Sequence, residues 1–214
     1  MVKLTRGQNW FEGQAHIWSS IIKPVIQQQG FCRALEIGSW EGGSACWILS
    51  ELCCGNDARN HLVCIDHFDL MKTEAGRNRW KLFNENIQST GFNNRVRILP
   101  KFSTPALFQL MSEVVNENQE GFNLVYIDGS HRSDDTLLDA EMAWRIASNG
   151  CIFVFDDFEW DQEPEDSIEH PKIGILAFLE IHKKEYALLS KGYQIIIQKI
   201  IPRRVGFVDL GCFD

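Results

Sequence analysis

The chain predicts an open α/β fold: a mostly parallel sheet with helices on both faces and an antiparallel hairpin at its C-terminal end. Three observations predict it. Apolar strand-like runs and helix-like stretches alternate five times along the sequence. The first run, RALEIGSWEGGS at residues 33–44, passes from a strand through a glycine turn into a helix start. Near the end, Tyr186–Leu189 and Gln194–Ile200 pair as a hairpin about Lys191-Gly192.

Residues 4–30 precede the first strand. Trp10, Phe11, Ile17, Trp18, Ile21 and Ile22 mark an amphipathic helix that Pro24 should interrupt or end. After the glycine turn, Ala45–Cys54 reads as a helix closed by Gly55. Leu62–Asp66 is a second strand ending in an acid, and residues 67–78 are polar and irregular. Trp80–Ser89 is a helix with Leu82, Phe83 and Ile87 inward, stopped by Gly91. Arg95–Leu99 is the third strand, and a helix starts near Pro105 with Leu107, Leu110 and Met111 on one face. Phe122–Asp128 is the fourth strand, followed by a helix over Asp134–Ala147 that repeats Leu138, Met142 and Ile146 at i, i+4, i+8. Cys151–Phe155 is a fully apolar fifth strand ending in Asp156-Asp157. An acidic loop (158–170) and a helix over Pro171–Lys184 lead to the hairpin. The expected division is an N-terminal helical cap at 1–30, one α/β domain at 31–201 and a tail at 202–214.

With 214 residues, 44% hydrophobic and 23% charged, the composition is that of a soluble globular domain with a sizeable core. The net charge of −8 argues against a nucleic-acid backbone as partner. No run approaches the ~20 apolar residues that span a bilayer, and MVKLTRGQNW is not a signal peptide, so a cytoplasmic protein is expected. Seven cysteines without a C-x-x-C pair read as structural thiols in a reducing compartment.

The glycine turn carries the first chemical signal. Gly38, Gly42 and Gly43 let the backbone approach a ligand, and the helix start offers free N–H groups. Glu36 at the end of the strand disfavours a pyrophosphate and favours a ligand with an amino group or a sulfonium. The G-x-G-x-x-G spacing of dinucleotide folds is absent, because Ser39 and Trp40 follow Gly38. In nucleoside-binding α/β folds an acid ending the second strand, here Asp66, takes the ribose hydroxyls. Asp128 and the Asp156-Asp157 pair end the fourth and fifth strands, and ligands in such sheets bind at those ends. Three carboxylates together repel unless a cation compensates them, and oxygen ligands suit Mg²⁺ or Mn²⁺.

The stretch EIGSWEGGS resembles the first motif, E-x-G-x-x-x-G-x-S, of class I S-adenosylmethionine-dependent methyltransferases. With VYIDGSH at 125–131, Asp139, Ala143-Trp144, Asn149-Gly150 and FDD at 155–157, the chain over residues 31–200 resembles the macrolide- and aminocoumarin-sugar O-methyltransferases, which are kin to the catechol-type enzymes. The resemblance implies a seven-stranded sheet in the order 3-2-1-4-5-7-6. It also implies an S-adenosylmethionine site at Glu36, Gly38, Ser39, Trp40, Gly43, Ser44, Asp66, His67, Ser103 and Asp128. By position, Asp128, Asp156 and Asp157 match the divalent-metal ligands; catechol enzymes have Asn in place of Asp157. His131 falls where relatives place a base, and Asp128 and His131 are the implied catalytic pair.

The expected activity is metal-dependent O-methylation of a small hydroxylated acceptor: a sugar, a glycosylated metabolite or a phenol. A metal-independent methyltransferase of the same fold is the nearer rival, and a non-catalytic nucleoside-binding protein the more distant one. A homo-oligomer is compatible with the sequence.

Overall fold

A computed structural model describes residues 10–116, 120–202, 204–205 and 208–209. The chain forms two compact units, Met1–Phe102 and Ser103–Asp214.

In the first unit a 3₁₀ turn (Trp10–Gly13) leads to α1 (Ala15–Gln29), β1 (Arg33–Ile37) and α2 (Gly43–Trp47). α2 continues as a π-helical turn over Ile48–Leu52, and β2 (His61–Ile65), α3 (Glu74–Ser89) and β3 (Val96–Leu99) follow. The three strands are parallel, with Glu36 opposite Cys64 and Ile65 opposite Leu99. Helix α1 runs through Pro24 rather than stopping there, which corrects the expected break. A proline inside a helix costs about 3 kcal/mol, through a lost hydrogen bond and the clash of its ring with the preceding turn. Burial of Trp18, Ile22 and Ile26 along one face offsets it at roughly 1.5–3 kcal/mol each. Trp18 also packs edge-on between Phe11 and Trp47, at 4.8 and 5.5 Å between ring centres.

Helix α3 begins six residues before its expected start at Trp80. Its first turn is polar and hides in the pattern, but Thr73 caps it by accepting the Gly76 N–H at 2.9 Å. Before it, Phe68, Asp69, Leu70 and Met71 form a left-handed turn, with φ of 44°, 50°, 51° and 57°. Each such residue costs roughly 1–2 kcal/mol. The turn lies so close to α3 that a Cβ on Gly76 would sit 2.3 Å from the Phe68 carbonyl oxygen.

The second unit holds α4 (Ser103–Asn116), β4 (Phe122–Ile127), α5 (Ser133–Ile146), β5 (Ala147–Phe155), α6 (Lys172–Ile181), β6 (Tyr186–Lys191) and β7 (Ile195–Lys199). β4 and β5 are parallel; β7 is antiparallel to both β5 and β6. β5 starts four residues before the expected Cys151, because Ala147 already pairs with Phe122. Helix α6 ends at Ile181, three residues before the expected Lys184. Trp144 of α5 packs on Phe153 and Phe178. Lys199 is buried and caps the end of α5, its Nζ donating to the carbonyls of Trp144 (2.7 Å) and Ala147 (2.9 Å). Most of the expected tail lies outside the described residues; β8 (Arg204–Val205) and β9 (Val208–Asp209) pair antiparallel within it.

The seven strands β1–β7 form one sheet in the order β3-β2-β1-β4-β5-β7-β6. Among the described residues no helix is long and apolar enough to cross a membrane.

Candidate active site

In the first unit the candidate side chains gather where β1 and β2 end. Gly38 (φ 87°) donates its N–H to Ile65 at 2.8 Å, so the turn opens as a continuation of the strand pairing. Trp40 and Gly42 also adopt positive φ, at 47° and 84°. A Cβ on Gly42 would meet the Phe83 ring at 3.1 Å. Asp66 organises this turn. Its Oδ2 accepts the N–H groups of Ser39 (3.2 Å) and Trp40 (2.9 Å), and its Oδ1 accepts that of Phe68 (2.8 Å).

Glu36 lies beneath the turn rather than at its surface, with no exposure to solvent. Its Oε1 accepts the Ser44 hydroxyl at 2.5 Å and its Oε2 the Cys64 thiol at 3.4 Å. Burial pushes its pKa up, against the pull of Ser39, Ser44 and Cys64. Gly43 and Ser44 open α2. His67 accepts the Asp69 N–H at Nδ1 (2.8 Å) and stacks on Phe102, 4.7 Å between ring centres. Arg79 ties the turn to the loop after β2: it pairs with Asp69 at 2.6 Å and lies over the Trp40 ring at 4.4 Å.

In the second unit β4 and β5 end side by side, the Asp156 N–H donating to Ile127 at 3.0 Å. Asp128, His131 and Asp157 each offer one ligand atom within 4.8 Å of the others. The His131 Nε2 is 3.0 Å from the Asp157 Oδ2, and Tyr193 donates to the Asp157 Oδ1 at 2.6 Å. Burial works against the Asp157 charge, but His131 and Tyr193 outweigh it and hold its pKa below the usual carboxylate range. The Asp157 backbone is left-handed (φ 57°), with the Asp156 Oδ1 accepting its N–H at 2.8 Å.

Asp156 turns its other oxygen towards Tyr126. The Tyr126 hydroxyl contacts both this oxygen and the Asp128 Oδ2, the latter at 2.9 Å. One hydroxyl hydrogen serves only one acceptor, so the second contact is favourable when a carboxyl carries a proton. Asp156 is the group pushed that way: burial, then the Asp157 charge, raise its pKa to about 6. Tyr126 itself is pushed well above the ordinary phenol value by burial and the two carboxylates. The Trp160 ring sits edge-on to His131, 4.3 Å between centres. Buried His170 supports it, its Nε2 2.8 Å from the Trp160 carbonyl while its Nδ1 accepts the Lys172 N–H.

The structure thus gathers Glu36, Gly38, Ser39, Trp40, Ser44, Asp66 and His67 about one turn, and Asp128, His131, Asp156 and Asp157 about another. Asp156 faces Tyr126, and His131 joins Asp128 and Asp157 in the group whose ligand atoms converge. Ser103 opens α4 and neighbours Asp139. Tyr126, Tyr193 and Trp160 did not emerge from the sequence pattern. Tyr126 had a signal, since strand alternation places it on the same side as Asp128. Tyr193, in the β6–β7 turn, had none.

The carboxylates of the group formed by Asp128, His131 and Asp157, with Asp156 beside them, offer oxygen ligands that fit a hard divalent ion such as Mg²⁺ or Mn²⁺. The strand order and the glycine turn over Asp66 are those of the class I S-adenosylmethionine-dependent methyltransferase fold. The chain belongs to the Methyltransferase domain family, whose model matches residues 35–158. No curated protein matches it. Among solved structures it is similar to a candidate O-methyltransferase from Klebsiella pneumoniae (18% identity, TM-score 0.64, covering 93% of this chain and 83% of that one). It is also similar to the O-methyltransferase from Bacillus cereus in complex with SAH (19%, 0.60, 92% and 84%). A third is the O-methyltransferase TomG from Streptomyces achromogenes, involved in tomaymycin synthesis and bound to SAM (15%, 0.55, 92% and 92%). At these identities the likeness is one of fold.

Proposed function

We propose that the chain transfers the methyl group of S-adenosylmethionine to a hydroxyl of a small molecule (a sugar, a glycosylated metabolite or a phenol) with the help of Mg²⁺ or Mn²⁺. The observation that carries this reading is the convergence of Asp128, His131 and Asp157, with Asp156 beside them, at the ends of two parallel strands. The cofactor-bound Bacillus cereus and TomG structures support the choice of cofactor. S-adenosylmethionine supplies an electrophilic methyl, and a divalent cation lowers the pKa of an acceptor hydroxyl.

The cofactor would be held by Gly38, Ser39, Trp40, Gly43, Ser44, Asp66 and His67, with Glu36 acting through Ser44. Asp66 presents the turn by gripping the Ser39 and Trp40 amides, and the nucleoside's ribose would share its oxygens. Asp128 and Asp157, with Asp156, would hold the cation and orient the acceptor oxygen. His131 takes the acceptor's proton as general base. The Asp157 carboxylate orients the imidazole and stabilises the cation it becomes. The test is turnover with a panel of hydroxylated acceptors. EDTA should abolish it, and Mg²⁺ or Mn²⁺ restore it, with S-adenosylhomocysteine binding largely kept.

The 3.0 Å contact between His131 and Asp157 favours a second reading. A base already oriented by a carboxylate can work without a cation, and full turnover in EDTA would select that mechanism.

A further inference from the structure

We infer that Tyr126 is a positioning residue for the acidic cluster: its hydroxyl, set between Asp128 and Asp156, fixes the arrangement in which these carboxylates take up a divalent cation. The inference rests on the cation reading of the proposed function.

Tyr126 is on β4, two residues before Asp128, so both side chains leave the same side of the strand. It is 1% exposed. Burying a hydroxyl is unfavourable unless it is hydrogen-bonded, so the packing of β4 alone would be served better by Phe. The hydroxyl instead meets two acids from neighbouring strands, the Asp128 Oδ2 at 2.9 Å and the Asp156 Oδ2. Two carboxylates brought together at adjacent strand ends repel one another. The single hydroxyl hydrogen, donated to one oxygen at a time or shared between them, removes part of that repulsion and holds both oxygens about one point. Each carboxylate oxygen has two lone pairs, so accepting from Tyr126 leaves capacity for a further ligand.

Asp157 has side-chain partners of its own, although its backbone N–H donates to the Asp156 Oδ1. Tyr193 donates to its Oδ1, His131 lies at its Oδ2, and the Tyr193 carbonyl accepts the Phe158 N–H at 2.9 Å. Tyr126 therefore acts on the Asp128–Asp156 side of the cluster. Groups that orient metal ligands in this way change metal affinity by roughly 10–100-fold.

The experiment is a Mn²⁺ titration of the full chain without cofactor or acceptor, read by the electron paramagnetic resonance of free Mn²⁺. Wild type is compared with Tyr126→Phe, and S-adenosylhomocysteine binding is measured on both. Positioning predicts Mn²⁺ affinity roughly 10–100-fold weaker in Tyr126→Phe, with S-adenosylhomocysteine affinity unmoved. A merely structural role predicts that both fall together. Unchanged Mn²⁺ affinity in folded Tyr126→Phe overturns the inference. If Tyr126→Phe does not fold, Asp156→Asn is compared with the double variant carrying Tyr126→Phe, which leaves no orphaned buried carboxylate. The inference requires the double variant to bind Mn²⁺ more weakly, through loss of the Asp128 contact; equal affinities overturn it. Wild type that binds no Mn²⁺ overturns it together with the cation reading.

Discussion

Among the described residues of the second unit, Asp139 is a buried carboxylate left poorly satisfied, and Asp139→Asn should stabilise the protein in a pH-dependent way. The side chain is 1% exposed on α5, and neither carboxylate oxygen has a hydrogen-bond partner in good geometry. Burial raises its pKa from 3.8 to about 7; the Ser103 hydroxyl eases the charge and Asp135 aggravates it. A folded-state pKa above the unfolded value means that ionisation disfavours the fold. The penalty is nil below pH 3.8, grows as pH rises towards 7 and is complete above it. A shift of about three units at 1.36 kcal/mol each sets an upper limit of ~4 kcal/mol. Local relaxation reduces this, and about half is a reasonable expectation. The amide of Asn fills the same volume without charge. Asp139→Asn should therefore gain ~2 kcal/mol at pH 8, or roughly 4–8 °C in melting temperature, and nothing at pH 4. Urea unfolding of both proteins across that range measures the difference. A variant equally or less stable than wild type at pH 8 would refute the reasoning and show that the carboxylate has a partner worth more than its burial.

Three further outcomes follow from the same geometry. Glu36→Ala leaves the Ser44 hydroxyl and the Cys64 thiol without their acceptor, and should weaken S-adenosylhomocysteine binding by at least ~1.5 kcal/mol in calorimetry; unchanged affinity removes Glu36 from the cofactor site. Gly76→Ala would gain up to ~1 kcal/mol from helix propensity alone, but its Cβ would lie 2.3 Å from the Phe68 carbonyl, so a net loss of ~1–3 kcal/mol is expected in urea unfolding. His182 is half-buried, which lowers its pKa, but its Nε2 and Nδ1 lie 2.8 Å from Glu141 and 2.6 Å from Glu185, and the two carboxylates raise it overall. Its contribution is present below the unfolded pKa of 6.5 and fades as pH rises through the raised folded value. His182→Gln should thus lose more stability at pH 6 than at pH 10, and an equal loss at both would contradict the pairing.

Much of the fold was legible because strand and helix periodicities differ and glycines punctuate the turns. The five apolar strands and the terminal hairpin emerged within a few residues of their bounds. What stayed hidden has physical causes. Pro24 reads as a stop locally, and only the burial of Trp18, Ile22 and Ile26 carries α1 through it. The left-handed turn at Phe68–Met71 has no sequence signature, since none of its residues is a glycine. The acids of the site were legible as strand-ending residues, but their side-chain partners were not. That Glu36 lies beneath the turn, bonded to Ser44, depends on packing that no spacing reveals. That Asp156 faces Tyr126 while His131 faces Asp157 depends on rotamers at two adjacent strand ends.

The central claim is a cofactor site built on the Glu36–Ser44 turn and Asp66, and calorimetric titration with S-adenosylhomocysteine tests it most directly. The account predicts saturable one-to-one binding to wild type and its loss in Asp66→Ala, whose missing carboxylate frees the Ser39, Trp40 and Phe68 amides. Absence of binding to folded wild type, or equal binding by Asp66→Ala, would contradict it.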